Sequence, residues 1–290
     1  MSWWMFDRIA VPLDGSDIAL RAIGPGRRLA RVHDARLVLV TVATPETGGT
    51  TRAHNVLAAG RLVAGTDVEI LTIDADDAAS ALAEFDADYP ATLVCMTTRG
   101  HGAMRRKLIG GVALAVVRDS PQAVVLIGPR CNPDLDTPID PIIVCLDGTP
   151  AAEVVLPWAT RWGQSTDAGL LLIHVVYPVA PPEARIPPSM HRVEQLDYLT
   201  GLSQQLRAEH PNVRHITIPG ADPGVAIRDA TDVYANAMFA IATSHPGPVT
   251  DLLLGSTASH IIRTADVPVL IVSKTDTAAP PPLYTPAAPA

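Results

Sequence analysis

The feature that most constrains this chain is an internal repeat held at a fixed spacing. The segment Arg8-Ile9-Ala10-Val11-Pro12-Leu13-Asp14-Gly15-Ser16 is an apolar run closed by an acid and a turn. Ile142-Ile143-Val144-Cys145-Leu146-Asp147-Gly148-Thr149 restates it in the second half of the chain. Leu37-Val38-Leu39-Val40-Thr41-Val42 returns as Leu170-Leu171-Leu172-Ile173-His174-Val175, and the step from Val42 to Val175 equals the step from Asp14 to Asp147. Further on, Leu108-Ile109-Gly110-Gly111 matches Leu253-Leu254-Gly255-Ser256, and Ala123-Val124-Val125-Leu126-Ile127 matches Pro268-Val269-Leu270-Ile271-Val272. These two pairs share a second, somewhat longer step. Unrelated strands do not keep one offset, so the chain reads as a duplicated unit. The longer step marks a net insertion in the second copy, and the Pro-rich stretch from Pro178 to Pro188 is its natural seat.

Within each copy, short β-branched runs alternate with amphipathic segments, as in a parallel sheet covered by helices on both faces. Strands are expected near 7–13, 36–43, 67–73, 91–96 and 122–128, and again near 139–146, 168–177, 213–219, 236–243 and 267–273. Five strands joined by right-handed crossovers make a doubly wound domain. The fold class is therefore α/β, with two tandem doubly wound five-stranded parallel sheets, the first over residues 1–132 and the second over 138–275. Arg130 to Pro141, rich in Pro and Asp, suits a linker, and residues 276–290, mostly Ala, Pro and Thr, suit a disordered tail. Pro25 and Pro157 each fall inside the first helix of their copy, so that helix should bend or start late.

Composition narrows the function. With 22 basic and 30 acidic residues the formal charge is −8, which leaves no basic stripe for nucleic acid. Cys95, Cys131 and Cys145 form no CxxC pair, and two of them lie inside apolar runs that fit buried positions, a usage that suits a reducing cytosol. The apolar start Met1-Ser2-Trp3-Trp4-Met5-Phe6 runs straight into Asp7 and Arg8 and lacks the pattern of a signal peptide. No run approaches the roughly 20 apolar residues that span a bilayer, so a cytoplasmic location without membrane contact is expected.

Ligands of an open α/β sheet settle at the carboxyl ends of the strands where the winding reverses. Asp14 and Asp147 end the strand expected at the centre of each copy. An acid there accepts from a base or ribose donor, or holds a metal through water; it equally suits a helix cap, for which Ser16 and Thr149 are the stronger candidates. After the fourth strand of the first copy comes Thr97-Thr98-Arg99-Gly100-His101-Gly102, then Arg105, Arg106 and Lys107, then Gly110-Gly111. Glycines let backbone approach phosphate, and a helix N-terminus attracts anions. No HExxH, GxSxG or complete P-loop is present, and no metal-ligand spacing among the histidines.

These elements resemble the universal stress protein family, whose domains have a strand ending in D-x-S or D-G-S, a second strand ending like L-L-H-V, a G-x2-G-x9-G-[ST] segment after the fourth strand, and a closing P-V-L-V-V strand. Here they occur in that order twice, over nearly all of residues 7–274. The resemblance implies the adenine nucleotide alpha hydrolase-like fold. It implies nucleotide-binding positions at Asp14, Val42, Thr97, Arg99, Gly100, Gly110 and Gly111 in the first copy, and at Asp147, Val175, Gly255 and Ser256 in the second. The first copy departs from the motif at Thr97, in place of its first glycine, and at Gly111, in place of the final Ser/Thr. The second departs at Ala242 and His245, so the first copy is the expected binder.

What the resemblance implies is a regulatory or sensing protein, not an enzyme, that takes ATP with magnesium in solution and answers to protein partners not identifiable from sequence. Its copies are expected to pair through their final strands, within one chain or as a homodimer; the apolar run Val267 to Val272 suits an edge that must be covered. The alternative is a nucleotide-free scaffold whose altered glycine positions leave the cleft to a protein partner. An ATP-hydrolysing activity rests on fold analogy alone.

Overall fold

A computed structural model describes residues 5–45, 49–89, 91–99, 109–177, 192–243 and 254–273 together with 280, the backbone alone being described for 192–196. Gly100, the basic run Arg105-Arg106-Lys107, His245, the Pro178–Pro188 stretch and all of the expected tail but Pro280 lie outside the described residues.

The first copy runs β1 (Arg8–Pro12), α1 (Asp17–Leu20), α2 (Ile23–His33), β2 (Arg36–Ala43), α3 (Gly49–Ala64), β3 (Glu69–Asp74), α4 (Ala78–Asp88), β4 (Thr92–Thr97), α5 (Gly111–Asp119) and β5 (Val124–Ile127). The second repeats it as β6 (Ile142–Leu146), α6 (Pro150–Glu153), α7 (Leu156–Thr166), β7 (Leu170–Val176), α8 (Arg192–Leu206), β8 (Val213–Pro219), α9 (Pro223–Thr231), β9 (Met238–Ala242), α10 (Ser256–Thr264) and β10 (Val269–Val272). In each copy the helix after the first strand breaks into a short and a long piece. Pro25 and Pro157 then fall in the first turn of the long piece, where a missing N–H removes no intrahelical bond.

The strands form one ten-stranded sheet in the order β3-β2-β1-β4-β5-β10-β9-β6-β7-β8. Each half is parallel and doubly wound, and the halves meet where β10 runs antiparallel to β5. In that seam Val125 pairs with Leu270, its own equivalent in the repeat. Equivalent residues pair with one another only about a two-fold axis, so the copies form a symmetric pair inside one chain. The closing strand is thereby covered. Close packing tightens the junction: a Cβ on Gly128 would stand 2.0 Å from the Ile262 carbonyl oxygen.

Period-two alternation along the strands divides the core into two layers. Ile9, Val11, Leu39, Val125, Val144 and Leu270 face one side, under α2, α3, α7 and α8; Ala10, Val40, Leu126, Ile143, Phe239 and Ile271 face the other, under α4, α5, α9 and α10. Both layers run through the two copies without a break.

The linker is docked. Arg28 of α2 is buried and donates to the carbonyls of Thr137, Pro138 and Asn236. Arg31 pairs with Asp136, and Arg21 donates to Cys131 O at 3.0 Å. Beside it His33 of α2, fully buried, meets the ring edges of Phe6 at 5.1 Å and Trp162 of α7 at 4.7 Å. Neither ring nitrogen of His33 has a hydrogen-bond partner, and burial lowers its pKa to about 3. Among the described residues no helix is long and apolar enough to cross a membrane.

Candidate functional site

Reversal of the winding between β1 and β4 opens a crevice at the carboxyl ends of the first copy's strands. A cavity of about 300 Å³ occupies it. Its floor is Pro12 to Asp14 at the end of β1, Val40 to Val42 of β2 and Met96 to Arg99 at the end of β4. Its walls come from Arg52, Ala53 and Val56 of α3, Ala78 and Leu82 of α4, and Gly110 to Ala113 at the start of α5. Of the residues expected in the first site, the structure brings Asp14, Val42, Thr97, Arg99, Gly110 and Gly111 together around this one cavity.

Local chemistry explains how each is held. Asp14 turns its Oδ1 onto Ser16, accepting from the backbone N at 2.9 Å and from Oγ at 2.6 Å, while Ser16 Oγ caps α1 by accepting from Ala19 N. The hydroxyl residue is thus the cap, and the acid stays exposed on the cavity rim, braced by the turn it closes. Thr41 Oγ1 donates to Leu13 O at 2.8 Å, tying β2 to the strand end that carries Asp14. Thr97 is buried, and its hydroxyl donates to Arg99 O at 2.7 Å, which folds the chain back at the point where the family motif has glycine. Gly110 N donates to Thr98 O at 2.7 Å, and α5 begins there with no side chain capping its N-terminus. The first-turn amides and the helix dipole make that end favourable for an anion. Among the described residues a Cβ on Gly111 would meet no atom within 4 Å.

Asp77 caps the neighbouring helix α4, accepting from Ser80 N at 2.7 Å, and that bond holds its carboxyl below the usual range. The wall residues Arg52, Ala53, Val56, Ala78 and Leu82 were not anticipated. They belong to no motif; apart from Arg52, their trace in the sequence is small and apolar residues at helical spacing on two segments that the fold brings to one strand end. Among the described residues no cluster of His, Cys, Asp or Glu stands ready to hold a metal. All three cysteines are free and buried, and burial pushes the Cys131 thiol up to about 12.

The second copy repeats the frame. Asp147 Oδ1 accepts from Thr149 N at 2.9 Å and Oγ1 at 2.6 Å, and Thr149 caps α6. Val175 sits near the end of β7, and Gly255 caps α10, with Ser256 its first residue. The strand-end acid and the glycine-led helix therefore recur in both halves.

The comparisons with known proteins agree with this architecture. The model of the universal stress protein family matches residues 5–128 and again 138–273. A universal stress protein of Mycolicibacterium smegmatis is 25% identical over 91% of this chain and 96% of its own length. One from Mycobacterium tuberculosis is 31% identical over 50% of this chain and 51% of its own length. Among solved structures, a universal stress protein from Archaeoglobus fulgidus superposes with a TM-score of 0.65 at 18% identity, covering 93% of this chain and 100% of that one. With two family matches laid end to end, on two halves built to one plan about a shared seam, this chain belongs to the universal stress protein family in its tandem form.

Proposed function

We propose that this chain is a cytoplasmic regulatory protein that binds ATP in its first unit, residues 1–132, and passes the bound state to protein partners through the sheet shared with the second unit, residues 138–275. The observation that carries this reading is the cavity at the β1/β4 switch point. Its apolar walls suit a purine, Asp14 on its rim suits a ribose or base donor, and the uncapped N-terminus of α5 with Arg52 and Arg99 suits phosphate. A volume of about 300 Å³ is the lower end of the range for small-molecule sites, so it holds the nucleoside while the phosphates, with magnesium from solution, extend past Gly110 and Gly111. Among the described lining residues Asp14 is the one carboxylate, and no histidine or cysteine accompanies it, which favours binding over turnover.

Calorimetric titration of the full chain with ATP and magnesium tests this reading. Saturable heat is expected, reduced by Asp14→Ala and absent for Ala53→Trp, whose ring fills the cavity. No heat at millimolar ATP, or heat indifferent to both variants, would refute it.

Thr97 favours a second reading, in which the first cleft serves a protein partner without nucleotide. Its Cβ and its hydroxyl, committed to Arg99 O, stand where glycine lets phosphate approach. Under that reading Thr97→Gly together with Gly111→Ser creates ATP binding that the natural chain lacks.

A further inference from the structure

The two copies line the equivalent cleft with different side chains. Thr41 of β2 and His174 of β7 are equivalent in the repeat, and each reaches the carbonyl that ends the adjacent strand segment. Thr41 Oγ1 donates to Leu13 O, and His174 Nδ1 lies 3.1 Å from Leu146 O. Beyond Thr41 the first cleft opens into the cavity walled by Ala53 and Val56. Beyond His174 stands Tyr198 of α8, its ring edge-on to the imidazole with centroids 5.5 Å apart. The Tyr198 hydroxyl donates to Glu153 Oε1 at 2.8 Å.

Glu153 closes α6 at the place where α1 carries Leu20, the step between them being the one that relates Asp14 to Asp147. The exposure pattern of the covering helices sets Tyr198 against Val56. Each is followed by a buried leucine, Leu199 or Leu57, then by two exposed residues, then by half-buried Leu202 or buried Gly60. Burial, with the Glu153 and then the Asp147 carboxylate, raises the Tyr198 pKa, which puts the phenol in the field of the strand-end acid itself. Relative to the first copy, Leu has become Glu, Thr has become His and Val has become Tyr. The three together build one bridge from α8 to α6 across the carboxyl ends of β6 and β7.

We propose that the Tyr198–Glu153 bridge, seated on His174, fills the space that the first copy leaves for its ligand, so that the tandem chain carries one adenine-nucleotide site and not two. The ligand assignment rests on the reading of the first cleft as a nucleotide site. A purine entering the second cleft must displace an aromatic ring and strip a carboxylate of its phenol donor. The asymmetry is written in side chains, while the described strand ends and helix starts recur in both clefts.

Equilibrium dialysis of the full chain against radiolabelled ATP with magnesium reads the stoichiometry directly. The natural chain is expected to hold one ATP. Tyr198→Val, and the triple variant Glu153→Leu, His174→Thr, Tyr198→Val that installs the first copy's residues, are expected to hold one more, with thermal melting confirming that both remain folded. Two ATP on the natural chain, or equal stoichiometry for the natural chain and both variants, overturns the proposal. No ATP on the natural chain but one on a variant upholds the bridge as the closing element while rejecting the first cleft as a nucleotide site.

Discussion

Replacing His33 by phenylalanine is expected to flatten the acid side of the stability profile. His33 is enclosed by Phe6 and Trp162 where α2 of one copy packs on α7 of the other, with no acceptor or donor at either ring nitrogen. Burial therefore holds its folded-state pKa at about 3, against 6.5 in the unfolded chain. Because the pKa is lowered on folding, the unfolded state binds the proton first, and stability falls as pH drops below 6.5 and continues to fall toward 3. One pKa unit corresponds to about 1.4 kcal/mol, so at pH 5 the imidazole alone costs roughly 2 kcal/mol relative to pH 7. Against a typical net stability of about 5–15 kcal/mol this is a large share. Phenylalanine keeps the edge-on ring contacts and does not titrate. Urea unfolding of the natural chain and the variant at pH 7 and pH 5 measures the difference, and carboxylate titration common to both cancels. Losses between the two pH values that agree within about 0.5 kcal/mol would refute the assignment, since that is the additivity limit for independent sites.

Arg28→Ala strips three carbonyls of their buried donor where the linker docks, and a loss of about 3 kcal/mol is expected in the same unfolding assay; Arg28→Lys, with one ammonium for three acceptors, is expected to recover only part of it. Gly111→Ser enters open space at the first residue of α5 and restores a hydroxyl beside the cavity. ATP should bind tighter by about 1 kcal/mol, near fivefold in Kd, with the melting temperature of the ligand-free protein unchanged.

Much of this protein was legible in the residue order. The fixed offset between Asp14 and Asp147 announced the duplication, and period-two apolar runs located the strands, because burial on both faces of a parallel sheet leaves a pattern local to each strand. Ser16 and Thr149 as caps, and the breaks ahead of Pro25 and Pro157, were equally readable, since a cap or a missing N–H acts within one turn. The glycine-led start of α5 was visible for the same reason.

Other features depend on residues that meet only after folding. The linker between the copies reads as a tether, yet Arg28 and Arg31 of α2, with Arg21 at the end of α1, hold it to the first copy. His33 and Trp162 are ordinary helix residues until two helices from different copies bring their rings together. Val56 and Tyr198 have no distinguishing motif, and their opposite effects on two equivalent clefts come from what stands across from them: space in one, His174 and Glu153 in the other. Sequence alone determined the repeated α/β plan and the acid at each strand end, because those follow from hydrogen bonds and burial within a few residues. Tertiary structure alone decided where the first cleft opens into a cavity, because an empty volume is a property of side chains from separate elements, and no local pattern records the distance between them.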